Sequence, residues 1–199
     1  MSIELTTGEA PAILSPNGDR LCYASPDVPF HFSVGVVALS SLRPDEASVA
    51  TLYSPPEYDN PFGITDFDQL IRETPENGES LEAAVQRGVL EEIGATQSRI
   101  VAPLPGSAGV FQGRFQPYHK TTMYFLAHVP PEAVYEGLRD DQEAEINLQL
   151  VWRSLPEAIA RQKSQRRRVL ARGRSDLVEI DQLEAAWGLL NQPGKLANR

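Results

Sequence analysis

Residues 33–39, SVGVVAL, narrow most what this chain can become. The apolar side chains run without the alternation of a half-wet strand, and valine dominates. The segment His31 to Leu42, bounded by Pro29 and Pro44, therefore reads as a strand buried on both faces. It holds the longest apolar run in the sequence, far short of the roughly 20 residues that cross a bilayer. A soluble α/β protein is expected.

The second strong signal is GESLEAAVQRGVLEEIGA, residues 78–95. Leu81, Val85, Val89 and Ile93 recur every four residues, with Ala84 beside them, and give a helix one apolar face for a sheet. Ser80 is a ready N-cap and Gly94 an αL C-cap. One residue resists this pattern: Gly88 stands mid-helix, where glycine costs about 1 kcal/mol against alanine.

The remaining segments read as follows. PNGD at 16–19 is a turn, and 13–23 forms a candidate hairpin. Val49 to Tyr53, Ile64 to Ile71, Ile100 to Leu104, Val110 to Phe111, Thr121 to Val129 and LQLVW at 148–152 read as strands. A helix starts at Leu155 with Pro156 in its first turn. Another runs from Asp176 to Leu190, with Leu177, Ile180, Leu183, Ala186, Trp187 and Leu190 on its core face. These elements divide the chain into an N-terminal extension, 1–30, a single domain, 31–190, and a loose tail, 191–199.

A formal net charge of −9 opposes general nucleic-acid binding through bulk charge. The exception is RQKSQRRRVLARGR, 161–174, which reads as a solvated helix face or as a contact for a highly phosphorylated ligand. One cysteine allows no internal disulfide, and no basic-then-apolar leader opens the chain, so a cytoplasmic protein is expected.

The stretch from Glu73 to Ala95 resembles the Nudix box, G-x5-E-x7-R-E-U-x-E-E-x-G-U, with U a bulky aliphatic residue. Glu79, Arg87, Val89, Glu91, Glu92 and Gly94 fall on the motif's positions in one frame. VGVVAL, HKTTMYFLAHV and EINLQLVWRSLPEAI resemble further segments of that family, so the resemblance covers about residues 30–165. It implies a Nudix-type α/β/α sandwich with a mixed sheet. Two positions depart: the opening glycine is Glu73, preceded by Arg72 where a second glycine is common, and the glutamate after Arg87 is Gly88.

The resemblance also implies chemistry: water attacks a phosphorus of a small phosphorylated, nucleoside diphosphate-linked substrate with the help of Mg²⁺ or Mn²⁺, hard cations that prefer carboxylate oxygen. Positions 88, 91 and 92 share a helix face, and this chain places only two acids there. An EE pair on a helix is ordinarily a solvated face; within this frame the metal reading prevails. Glu91, Glu92, Glu79 and Glu73 are the expected metal ligands, with Arg87 orienting Glu79 or Glu91.

Glu73, Glu143 and Glu145 are candidates to replace the missing acid, Glu145 as the base. His119 and Lys120 resemble a phosphate-contacting pair; a surface turn is the other reading. Phe115, Tyr118 and Tyr124 read as core rather than base-stacking residues, and Trp152 and Trp187 as core anchors. The termini outside the resemblance offer surface for a homodimer.

Two readings follow. One is a metal-dependent hydrolase of a diphosphate bond, slowed by Gly88. The other is a Nudix-fold binding or regulatory protein that has lost catalysis. Gly88→Glu is the substitution that the sequence alone suggests for separating them.

Overall fold

The Val28–Leu39 strand is the one on which the sheet assembles. The protein is seen in a computed structural model that describes residues 13–14, 20–25, 28–56, 64–76, 78–112, 117–135, 148–173 and 177–192. In chain order the strands are β1 (Ile13–Leu14), β2 (Arg20–Ser25), β3 (Val28–Leu39), β4 (Ser48–Ser54), β5 (Phe67–Gln69), β6 (Ile71–Glu73), β7 (Arg99–Gln112), β8 (Pro117–His128) and β9 (Gln149–Ser154). The helices are α1 (Leu81–Ile93), α2 (Leu155–Ala171) and α3 (Ile180–Leu190).

β3 runs parallel to β8, from Phe30 opposite His119 to Leu39 opposite His128, and antiparallel to β6. β7 pairs antiparallel with β8, while β4 pairs antiparallel with β5 and β9 and meets β3 where Leu39 faces Val49. The sheet is therefore mixed.

Alternation along β3 builds both cores. Val34, Val36 and Ala38 pack with Ala84, Val85, Val89 and Ile93 of α1. Val37 and Leu39 pack on the other side with Leu155 and Ala158 of α2 and with Leu183, Ala186 and Leu190 of α3. The fold is an α/β/α sandwich with a mixed sheet, and the doubly buried reading of SVGVVAL follows from having a helical layer on each face.

Four segments differ from expectation, the first being β3 itself, which runs through Pro29 from Val28 and ends at Leu39 rather than Leu42. Ile64 to Ile71 is not one strand: β5 pairs with β4 and β6 with β3, and the chain changes partner at Leu70. The pieces at 100–104 and 110–111 belong to a single strand, β7, whose register shifts between Leu104 and Ser107 let it pass through PGSAG without ending. α3 begins at Ile180 rather than Asp176. Trp152 and Trp187 pack partly buried against the two cores.

Where β3 and β8 meet at Gly35 and Tyr124, the ring crosses the glycine: a Cβ on Gly35 would lie 2.2 Å from Tyr124 Cε1. The ring is buried, and its hydroxyl donates to Glu179 Oε1 at 2.9 Å. Glu179, fully buried just before α3, also accepts from the Leu70 N–H at 2.6 Å.

Candidate active site

The approach to α1 is shaped by its turn chemistry. Gly78 takes a left-handed φ of 83°, and the Glu79 N–H donates to the Glu76 carbonyl at 3.0 Å. Ser80 Oγ then accepts from the Ala83 N–H at 3.1 Å. At the far end Gly94, with φ 75°, donates to the Leu90 carbonyl at 2.8 Å and stops the helix. Capped at both ends and buried along one face, α1 fixes where its polar residues point.

Arg87 ties this segment together. Its Nε and Nη2 donate to the two oxygens of Glu79, both at 3.0 Å, and Nη2 also donates to the Thr74 carbonyl at 2.9 Å. Nη1 meets Glu91 Oε2 at 3.2 Å and Glu73 Oε1 at 3.0 Å. A planar guanidinium suits such a fork, which a point charge could not hold. Hydrogen bonds from Arg87 hold the Glu79 carboxyl below its usual range, and Glu79 in turn raises the already high guanidinium pKa. Glu79, expected among the metal ligands, is thus bound by Arg87 through both oxygens.

Gly88 is buried and faces Glu73: a Cβ there would lie 3.0 Å from Glu73 Cβ. The Glu73 carboxylate accepts from the Thr74 N–H at 2.9 Å. Burial pushes the Glu73 carboxyl up, outweighing the Arg87 charge that pulls it down. This contact changes the meaning of Gly88→Glu, because a side chain there requires Glu73 to give by a few tenths of an ångström.

Beside the helix lies a cleft of about 190 Å³. Glu92 lines it together with His31, Ser33, Arg72, Thr74 and Lys120. His31 Nε2 and Thr74 Oγ1 are 2.9 Å apart, so the strand histidine borders the cleft. Arg72, which the sequence marks only as a missing glycine, is held by Gln69 Oε1 at 3.1 Å and lies 3.8 Å from Glu179. Two adjacent charges, RE, at motif positions commonly given to glycine are the sequence signal that points to it.

The structure divides the expected phosphate-contacting pair. Neighbouring strand residues point to opposite faces; Lys120 lines the cleft, while His119 is exposed and is not among its lining residues. Tyr124 belongs to the core. Glu143, Glu145 and Phe115 lie outside the described residues, and so does the side chain of Tyr118. In the basic stretch, Arg161 pairs with Asp66 and Asp68, and Arg168 with Asp66. Buried Asp68 also accepts from Arg153 Nε at 3.0 Å. Part of this run is therefore spent joining α2 to β5.

A comparison with protein families matches residues 42–173 to the NUDIX domain. The chain belongs to the Nudix family. A search of curated proteins gives no match. Among solved structures this Nudix protein is similar to a C. elegans Ap4A hydrolase in a binary complex, with TM-score 0.50 and 16% identity over 82% of this chain and 98% of that one. It is also similar to a NUDIX hydrolase from Nitrosomonas europaea, with TM-score 0.49 and 17% identity over 84% and 91%. For the E. coli dihydroneopterin triphosphate pyrophosphohydrolase the values are 0.47 and 19% over 78% and 99%. At 16% identity the likeness to the C. elegans hydrolase is one of fold.

The donor set fits the divalent cation that this family implies. Among the described residues no three acidic, histidine or cysteine side chains form a ready-made cage. Mg²⁺ needs none, since it is held by one or two carboxylates together with water and substrate oxygens. Glu91 and Glu92 follow one another on α1: Glu92 stands on the cleft wall, while Glu91 is held by Arg87 and is not among the lining residues. Among the described residues no helix is long and apolar enough to cross a membrane.

Proposed function

We propose that this Nudix protein hydrolyses a diphosphate bond in a nucleoside diphosphate-linked or related polyphosphate substrate. The observation that carries this reading is the cleft, in which Glu92 of the box helix is brought together with the cationic side chains Arg72 and Lys120. Carboxylate and cation on one small cavity are the two things a metal-assisted phosphate site needs. In a chain of net charge −9, the cations select for an anion that bulk charge would repel.

Glu91 and Glu92 would hold Mg²⁺ or Mn²⁺, which when bound neutralises phosphate charge and makes water a better nucleophile. Arg87 keeps Glu91 in place through its 3.2 Å contact and binds β6, the turn and α1 into one piece. Arg72 and Lys120 bind phosphate oxygens, with Arg72 held from behind by Gln69 and Glu179. Glu145 remains the candidate base.

The test is a panel of nucleotide-linked diphosphates with Mg²⁺ or Mn²⁺. Turnover is expected, and Glu92→Gln should lower it by about 10²-fold, the scale of losing one oriented electrostatic group. No product from any compound at high enzyme concentration, together with ligand-induced thermal stabilisation, would replace this reading with the binding-protein one, which the bare helix position at Gly88 favours.

A further inference from the structure

The two departures from the Nudix box have opposite signs. Glu73 puts a carboxylate where the motif opens with glycine, and Gly88 removes one where the motif has glutamate. In the fold they form one place. A Cβ on residue 88 would lie 3.0 Å from Glu73 Cβ, 3.5 Å from its Cγ and 3.6 Å from Ile71 Cγ2. The first distance is below the roughly 3.5–4.0 Å at which carbon atoms rest.

Neither side can give way easily. Glu73 sits on β6, locked in register opposite Val34 of β3, and Gly88 is a buried residue inside α1. The close atom on residue 73 is a Cβ, bound to the strand's backbone rather than at the end of a flexible side chain. A side chain at 88 therefore requires β6 or α1 to give by a few tenths of an ångström, and the two positions compete for the same space. What fills it here is a carboxylate side chain, and its acid group ends beside Glu91, the two meeting at the same nitrogen, Arg87 Nη1. The Thr74 N–H holds Glu73 Oε1 in that orientation.

We propose that Glu73 and Gly88 are a reciprocal replacement, in which Glu73 reaches over Gly88 from the sheet and supplies, beside Glu91, the divalent-cation ligand that residue 88 does not carry. The proposal rests on the metal-dependent reading given above and deepens it. Position along the chain has changed, while the identity of the group and the patch of helix it covers have been kept. Glu73 Oε1 and Glu91 Oε2, on separate elements, meet at one arginine nitrogen, so two carboxylates of the kind that a hard cation prefers are held side by side.

The test uses the full chain and Mn²⁺ alone, with affinity measured by titration calorimetry and by the EPR signal of free Mn²⁺. Glu73→Gln keeps the side chain's shape and should weaken Mn²⁺ binding by about tenfold or more, the scale seen when a group supporting a metal site is lost. Circular dichroism should show the fold retained. The exchanged variant Glu73→Gly/Gly88→Glu should regain the affinity that Glu73→Gln loses, from the opposite backbone. Gly88→Glu alone should melt lower than the parent without metal, because two side chains then compete for one volume.

Unchanged Mn²⁺ affinity in Glu73→Gln overturns the proposal, and so does a parent chain that binds no Mn²⁺. Turnover is scored separately. A chain that binds Mn²⁺ through Glu73 yet cleaves nothing sinks the hydrolase reading alone. A chain that cleaves substrate while Glu73→Gln binds Mn²⁺ normally sinks the exchange alone.

Discussion

Replacing a mid-helix glycine by alanine ordinarily gains about 1 kcal/mol. At Gly88 the gain should vanish, because the added methyl enters a gap already closed by Glu73. Urea denaturation is expected to show Gly88→Ala neutral or up to about 2 kcal/mol less stable, and the same substitution stabilising once Glu73 is glycine. A stabilising effect in the parent chain would mean that β6 moves aside freely. Gly35 is the harsher case: with Tyr124 Cε1 2.2 Å from a Cβ, Gly35→Ala should cost about 3 kcal/mol or more, the upper range for overpacking. The sequence exposes the missing acid at 88 through its frame. That Glu73 stands against it is a contact between strand and helix, and no periodicity within either segment reports it.

At the scale of elements, the α1 segment is fully legible in the sequence, since a cap, an apolar repeat and a glycine stop are all local signals. The partner change at Leu70 is not, because β5 and β6 are short and differ only in which strand they meet. Arg87 joins β6, the turn and α1, and Arg87→Lys should cost about 1.5–3 kcal/mol, since lysine cannot reproduce the paired bonds to Glu79. Little loss on thermal denaturation would show that the turn holds itself.

A second junction, between β5 and α2, predicts a pH effect. Hydrogen bonding by Arg161 holds the Asp66 carboxyl below its ordinary value of 3.8. Its stabilising effect is therefore complete above that value and disappears as pH falls through the lower folded one. Asp66→Asn, which tolerates the left-handed φ of 51° there, should be less stable than the parent at neutral pH by under about 1 kcal/mol, the carboxyl being partly exposed. The difference should begin to narrow below pH 3.8 and close once pH has passed the lower folded value. A gap that persists unchanged into acid would assign the effect to shape rather than charge.

For the whole molecule, the Nudix match spans 42–173, yet the core runs beyond it in both directions. β3 precedes the match and supplies Val34, Val36, Val37 and Leu39; α3 follows it and supplies Leu183, Ala186 and Leu190. The apolar repeat of α3 is plain in the amino-acid order alone. Glu179 is not, because a single acid outside a helix carries no local mark of burial. Its carboxylate accepts from Leu70 and Tyr124 and stands beside Arg72, so the segment after 173 also holds one wall of the cleft. A chain ending at Gly173 should therefore fail twice, losing the cooperative thermal transition that a buried apolar face provides and losing anion binding. Arg72→Gln separates the two losses: it keeps α3 and its apolar contacts, removes the cleft cation that Glu179 stands beside, and should lower affinity for inorganic pyrophosphate while the circular dichroism spectrum is retained. Pyrophosphate bound equally well by both proteins would place the anion elsewhere than at Arg72, and would leave α3 as a cover for the core alone.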